Sequence, residues 1–420
     1  MRGDGMGLAP PNLSSRRGVN FLMLSLVRAT VLVSFLPAVA RSQQPVTRQQ
    51  AVELAVTRGA RAAVARADTL VASAQLLTTR QRDNPSVAMT YSKSTPNYHE
   101  IVDLPIDLTG VRSARIRSAE ATRLASQYRF RFERAAAALD ADTTYTRALA
   151  AFEHLRLSRR NAKDADSLRR MAVVRRDAGD ASELDVLLAT VNAGQAANQA
   201  AADSLTYVST LFDLQVVMGL DTDRVSVTPV DSLTLPATSG GVSFAGRALP
   251  IAAAEQALIA ADLWVRAQRR SLLTPLSVQA GIEHGDPSEH GILPTIGLSI
   301  PLPILNRNRG PIALAEAERE RARAELSLAR FETQSAIGRA IRSRNLALEK
   351  IQRDRVLVES ATRVAAMSLT AYREGAQGLP AVLEAQRNAR EILSQYIDDL
   401  AQAWIATATL RLYDLTPTTQ

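Results

Sequence analysis

Two helix-forming runs of about 65 residues each constrain this chain more than any other feature. One extends from Gly110 to about Arg175, the other from Gly310 to Arg373. At ~1.5 Å per residue they would be roughly 98 and 95 Å long. Shorter helical stretches are available to lie against them. Residues 182–220 and 46–82 would span roughly 58 and 55 Å, and residues 246–272 and 379–413 roughly 40 and 52 Å. Each long helix is thus matched by two shorter ones laid end to end. The expected architecture is a hollow bundle about 100 Å long, with short strands at one end and two glycine turns at the other. The segment from Asp221 to Gly246, with Pro229, Pro236 and Gly240-Gly241, would join the halves near mid-height.

The chain reads as an internal duplication. Leu104-Pro105-Ile106 precedes Gly110, and Leu302-Pro303-Ile304 precedes Gly310. Further on, the run from Gly179 to Ala189 parallels the run from Gly375 to Ala385. A near-constant offset over three landmarks is the mark of a repeat. The expected division is a signal peptide over 1–40, a first repeat over 41–240 and a second over 241–420. Each repeat has the order helix, two strands, long helix, return helix.

The strands carry the most information about environment. In Leu276–Glu283, Leu276, Val278, Ala280 and Ile282 share one face, and Ser277, Gln279, Gly281 and Glu283 the other. In Thr295–Leu302, Ile296, Leu298, Ile300 and Leu302 alternate with Thr295, Gly297, Ser299 and Pro301. In the first half Val87, Met89 and Tyr91 alternate with Ala88, Thr90 and Ser92, and Val102, Leu104 and Ile106 with Asp103, Pro105 and Asp107. Such dyad strands fit a transmembrane β-barrel with lipid outside and water inside. A soluble hairpin packed on a core is the other reading of the strands taken alone. Four strands cannot close a barrel, and open edges in lipid leave backbone groups unpaired. Three chains would supply twelve strands and close it.

Composition narrows the function. Aromatic residues are only 4%, which suits long helices in close contact rather than a thick aromatic core. Cysteine is absent, excluding disulfides, thiolate metal sites, a cysteine nucleophile and a lipidated N-terminal cysteine. Residues 19–39 are mostly apolar with Arg28 their one charge, and Ala38-Val39-Ala40 offers a small-x-small cleavage site, as in a secretory signal peptide. A start at Met23 would put Arg28 in the charged leader and make Ala29–Leu36 the apolar run. The net charge of +8, taken alone, would suit nucleic acid, but the arginines alternate with acidic residues along helices of a chain that reads as exported, as on an ion-paired surface. Of the four histidines none forms a spaced metal pair. Glu283, His284, Asp286, Glu289 and His290 gather in what reads as a hydrated outer loop. No phosphate-binding glycine loop or GxSxG elbow is present, so neither an enzyme nor a cofactor is expected.

In the last helix Val382, Ala385, Ala389, Leu393, Tyr396, Leu400 and Ala403 form one seam, and Leu383, Ile392, Ile397 and Trp404 a second stripe beside it. Two seams suit a helix with neighbours on both sides.

With these features in place, the sequence resembles the TolC-like outer-membrane efflux proteins. The resemblance rests on Gly297–Gly310 with the Ala-rich helix after it, on Tyr372-x-x-Gly375, and on Val382–Arg387. It covers residues 45–413, with degenerate copies in the first half, and is nearest to members serving heavy-metal pumps. It implies a mainly α fold with a small β part: a coiled-coil tunnel in the periplasm and four transmembrane strands per chain, shared in a twelve-stranded barrel by a homotrimer. It implies a passive conduit in the outer membrane that exports small solutes, such as metal cations or drugs, with a periplasmic adaptor and an inner-membrane pump as partners. The competing reading is a periplasmic scaffold or adaptor without its own pore. The resemblance also implies roles at the tip. Ala178, Gly179, Leu184, Gly375, Gly378, Leu379 and Val382 would meet the adaptor. Glu384 and Asp185 would constrict the pore with Tyr372 beside them. Ala381 stands where many relatives carry a further acidic residue.

Overall fold

A computed structural model describes residues 44–236, 248–273, 276–288 and 291–413, all within the unit Ser42–Gln420. The expected signal peptide, Gly240-Gly241, Glu289 and His290 lie outside the described residues. The chain opens with β1 (Gln44–Val46), α1 (Arg48–Arg58), α2 (Ala60–Arg80), β2 (Ser86–Tyr91) and β3 (Tyr98–Ile106). Then come the 67-residue α3 (Val111–Asp177), α4 (Glu183–Met218) and β4 (Val227–Pro229). The second half repeats the order with α5 (Leu249–Arg270), β5 (Leu276–His284), β6 (Leu293–Ser299), the 65-residue α6 (Arg309–Arg373) and α7 (Leu379–Tyr413).

Alanine dominates the buried faces of the helices. Ala114, Ala121, Ala125, Ala141, Ala148 and Ala172 are buried along α3 alone. Small side chains let long helices approach closely, and larger ones concentrate in three knots. At mid-height Tyr145, Leu149, Leu214 and Met218 pack with Val46 and Val227. Ile351 and Leu400 join α6 to α7. The third knot closes the far end. In α7, Val382, Ala389, Leu400 and Ala403 are buried, and the second stripe is half-buried.

Two expectations need correction. The expected single helix over 46–82 is broken at Gly59, where ψ of 136° leaves the helical range. A Cβ there would lie 2.3 Å from the Ala55 carbonyl oxygen and 3.2 Å from that of Val217, so glycine permits both the break and the approach of α4. The final strand ends at Ser299, leaving Ile300 and Leu302 beyond the ladder. Pro301 and Pro303 lack the N–H groups a ladder needs, which stops the pairing there.

The sheet joins the halves. Its order is β2-β3-β5-β6, antiparallel throughout, with Val102 opposite Ala280 and Val278 opposite Leu298. A separate parallel pair, β1 with β4, ties the start of the described chain to the link after α4. Among the described residues, no helix is long and apolar enough to cross a membrane.

Candidate functional site

The sheet presents one largely apolar face to the surroundings, interrupted near the loop end by Glu100, which stands opposite Met89 and Ile282 and 3.8 Å from His284. Directly opposed residues point to the same side, so the register places Val87, Met89, Val102, Leu104, Val278, Ile296 and Leu298 together. All seven are exposed, Ile296 at 85% and Met89 at 77%. Side chains of this size on one sheet face have no protein core to cover them. The opposite face carries Thr90, His99, Asp103, Gln279, Glu283, Thr295 and Ser299, with Ile101 accommodated against Gly281. His99 Nδ1 lies 3.3 Å from Glu283 Oε1 on this polar face. The nine residues of β3 at ~3.4 Å each and a tilt near 40° give a height of roughly 23 Å, close to the ~25 Å apolar band of outer-membrane barrels. At the loop end the apolar face finishes in an aromatic group. Tyr91 and Tyr98 have ring centroids 5.3 Å apart, and Tyr98 stacks on His284 at 4.8 Å. Tyrosines at that height are typical of a lipid–water boundary. Among the described residues there is no group of three or more His, Cys, Asp or Glu able to hold a metal ion.

At the other end each long helix reverses through the same turn. Ala178 and Glu374 stay in the right-handed region, and Gly179 and Gly375 take φ of +84° and +78°. Asp180 N–H donates to Arg175 O at 2.8 Å, and Ala376 N–H to Ala371 O at 2.8 Å, satisfying the last carbonyls of α3 and α6. Behind the turns, Leu168, Ala172, Val186 and Ala189 of one hairpin interlock with Tyr372, Leu379 and Val382 of the other.

The residues expected at the tip occupy different situations. Leu184 is exposed at 64%, whereas Leu379 and Val382 are fully buried and build the junction between hairpins. Gly378 is not the positive-φ position of its turn; Gly375 is. Asp185 closes a capping box: its Oδ2 accepts from Ser182 N–H at 3.0 Å and from Ser182 Oγ at 2.8 Å, and Asp185 N–H donates to Ser182 Oγ. That arrangement fixes the start of α4. In the second repeat Gly378 and Ala381 stand at the equivalent places, so the acid and its serine partner are absent together. Glu384 is exposed, 4.0 Å from Arg387. Tyr372 is buried, and its hydroxyl has no hydrogen-bond partner among the described residues. Burial raises its pKa; Arg175 lowers it and Asp185 raises it.

Two arrangements escape a reading of the sequence. Arg175 stands 4.8 Å over the Tyr372 ring and donates to the Tyr372 carbonyl, binding one hairpin turn to the other. At mid-height the Arg48 guanidinium lies 4.1 Å over Trp404, pairs with Asp142 and donates to Thr146 Oγ1 at 2.7 Å. Tyr145 Oη donates there, with Val46 O at 2.9 Å and Asp231 Oδ2 at 2.8 Å, and burial with the Asp231 bond pushes its pKa up to about 12. This knot holds both ends of the first repeat against α3.

Such a fold, with its long helical hairpins and four-stranded sheet, is that of the TolC-like outer-membrane channels among solved structures. Residues 244–414 match the family described as Outer membrane efflux protein, which bears out the resemblance read from the sequence. Solved structures share the fold. A membrane protein from Pseudomonas aeruginosa superimposes with a TM-score of 0.76 at 20% identity, over 87% of this chain and 93% of that one. The CmeC outer membrane channel of Campylobacter jejuni gives 0.74 at 17%, over 87% and 85%. The outer membrane protein VceC of Vibrio cholerae gives 0.76 at 16%, over 88% and 96%. At these identities the likeness is one of fold. No curated protein matches the sequence.

Proposed function

We propose that this chain is the outer-membrane channel of a tripartite efflux system, a passive conduit for small solutes from the periplasm or a pump to the exterior. The observation that carries this reading is the exposed apolar face of the four-stranded sheet, mounted on helices of roughly 100 Å. A lipid environment makes that face favourable, and the helices then hang below it. Strands β2 and β6 are open edges of the sheet. A homotrimer sharing one twelve-stranded barrel closes them. The helical end would meet a periplasmic adaptor around Leu184 and the glycine turns, and the adaptor would link it to an inner-membrane pump. Glu384, with Asp185 and Tyr372 near the tip, would line a constriction.

Fractionation and bilayer recording test the reading together. The chain should remain in the outer membrane through high salt, leave it in detergent as a trimer, and conduct in planar bilayers. Release by salt alone would favour the scaffold reading, and a stable bilayer-inserted monomer would refute the shared barrel. Susceptibility of a deletion strain to metals and drugs identifies the cargo class.

A further inference from the structure

Just below the sheet, α2, α3 and α5 enclose a cleft of about 980 Å³. Its two ends differ in chemistry. Along the upper side run Leu104, Ile106 and Leu276, which belong to the exposed apolar face. Along the lower side stand Arg82, Arg112 and Arg115, from the loop after α2 and the first turns of α3. Arg82 and Arg115 are exposed and form no ion pair among the described residues. Arg112 donates through Nη2 to Arg80 O, yet its Nε is buried without a partner. The Arg270 guanidinium adds charge at the rim, 3.4 Å from where a Cβ on Gly110 would stand. Two acids face the same space. Asp107 is committed to capping α3, accepting from Val111 N–H at 3.2 Å and Arg112 N–H at 2.7 Å. Asp83 is the other. The balance remains positive. Arg80 stands next to the cleft but is already paired with Glu120 at 2.7 Å.

We propose that this cleft holds an anionic phospholipid of the periplasmic leaflet, its phosphate on the arginines and its acyl chains against Leu104, Ile106 and Leu276. The proposal rests on the sheet lying in the outer membrane. Guanidinium groups match phosphate oxygens bidentately, and the exposed Arg82 and Arg115 have no ion-pair partner among the described residues. The occupant must be anionic below and apolar above, within one molecule. Free phosphate leaves the apolar wall uncovered, and a neutral lipid leaves the arginines unanswered.

Trp264 lines the cleft and reports on it directly. The other tryptophan, Trp404, is bonded to Thr234 O in the mid-height knot, far from lipid, and gives a constant background. The full-length protein would be reconstituted in phosphatidylcholine vesicles containing either brominated phosphatidylglycerol or brominated phosphatidylcholine. Brominated phosphatidylglycerol should quench Trp264 with an affinity about thirtyfold the greater, from about a fivefold gain for each of the two exposed, unpaired arginines, Arg82 and Arg115, near an anionic surface. The double variant Arg82→Gln, Arg115→Gln should bring the preference to near unity, while flotation and helical content stay as in the parent. The Arg→Lys pair should keep part of it. Equal quenching by both lipids, no quenching by either, or an unchanged preference in the double variant would overturn the proposal. Loss of quenching on adding inorganic phosphate at constant ionic strength would assign the site to free phosphate and overturn it too. Failure of the unaltered chain to float would sink the channel reading along with it, whereas flotation without lipid preference removes the proposal alone.

Discussion

Replacing Arg175 with Ala is the sharpest test of how the tip is held. The guanidinium makes one cation–π contact with Tyr372, at 4.8 Å, and one charge-assisted hydrogen bond to the Tyr372 carbonyl. The first is worth about 0.5–1 kcal/mol at a partly exposed site and the second about 1.5–3 kcal/mol. Together the loss is about 2–4 kcal/mol, or a rise of roughly 30- to 1000-fold in the population with separated hairpin turns. Backbone exchange reads that population directly. Amide protection should fall by about that factor in residues 179–190 and 372–384. It should stay unchanged around Gln215, which is held by its own bonds to the Asp221 and Arg224 carbonyls. Arg175→Lys keeps the charge but loses the planar fork, and should fall between. Single-channel recordings of the Ala variant should show more frequent opening. Tip protection within threefold of the parent would mean that the knot of Leu168, Val186, Leu379 and Val382 holds the hairpins unaided.

In the sheet, Val278→Arg should cost roughly 2–4 kcal/mol and lower trimer yield, whereas Gln279→Arg on the polar face should be tolerated; equal yields would show that the faces are assigned the wrong way round. Glu384→Gln should weaken block by divalent cations in planar bilayers, and adding Asp185→Asn should weaken it further at a capping cost of about 0.5–2 kcal/mol. Block identical to the parent in both variants would place these carboxylates outside the pore. For Tyr145, whose pKa rises from 10.0 to about 12, the neutral form is favoured in the folded protein. The associated stability, of the order of a few kcal/mol, is therefore present below pH 10 and lost between pH 10 and 12. Denaturant titrations across that window should show the loss in the parent and not in Tyr145→Phe. Gly219→Ala should destabilise far more than Gly179→Ala although both have positive φ, because a Cβ at 219 meets the Arg58 carbonyl at 2.7 Å and at 179 meets nothing within 4 Å. Similar melting temperatures for the two variants would contradict that.

The elements written in local periodicity were legible. The dyad alternation of β5 names its two faces outright, and the return helix starts at Leu379 and runs to Tyr413 as its seam indicates. The break at Gly59 was not, because the segment is helix-forming on both sides and the constraint comes from Val217, far along the chain. The Arg48, Asp142, Tyr145, Asp231 and Trp404 knot was invisible for the same reason: its members come from four separated segments and share no spacing. Ser182-x-x-Asp185 is a capping signature legible in the sequence, and the structure uses that carboxylate as the cap of α4. Arg175 could not be told from the other arginines of α3, since its partner lies on the opposite hairpin.

The pairing of β3 with β5 sets a rule for how the protein can be made. Tyr98 pairs with His284 and Ile106 with Leu276, partners roughly 170–190 residues apart. Synthesis from the N-terminus delivers β2 and β3 long before their partner emerges. The first hairpin must wait, with an apolar face and an unpaired edge, while more than a hundred residues of helix follow it. That interval is when aggregation competes, because a two-stranded hairpin is marginal on its own. Long helices that pair locally can organise during the wait, so the periplasmic half is poised to take shape before the membrane half exists. If the sheet inserts as proposed, insertion is a late event that waits for β5 and β6. A chain truncated before Leu276 should accumulate as a helical, uninserted species that depends on periplasmic chaperones.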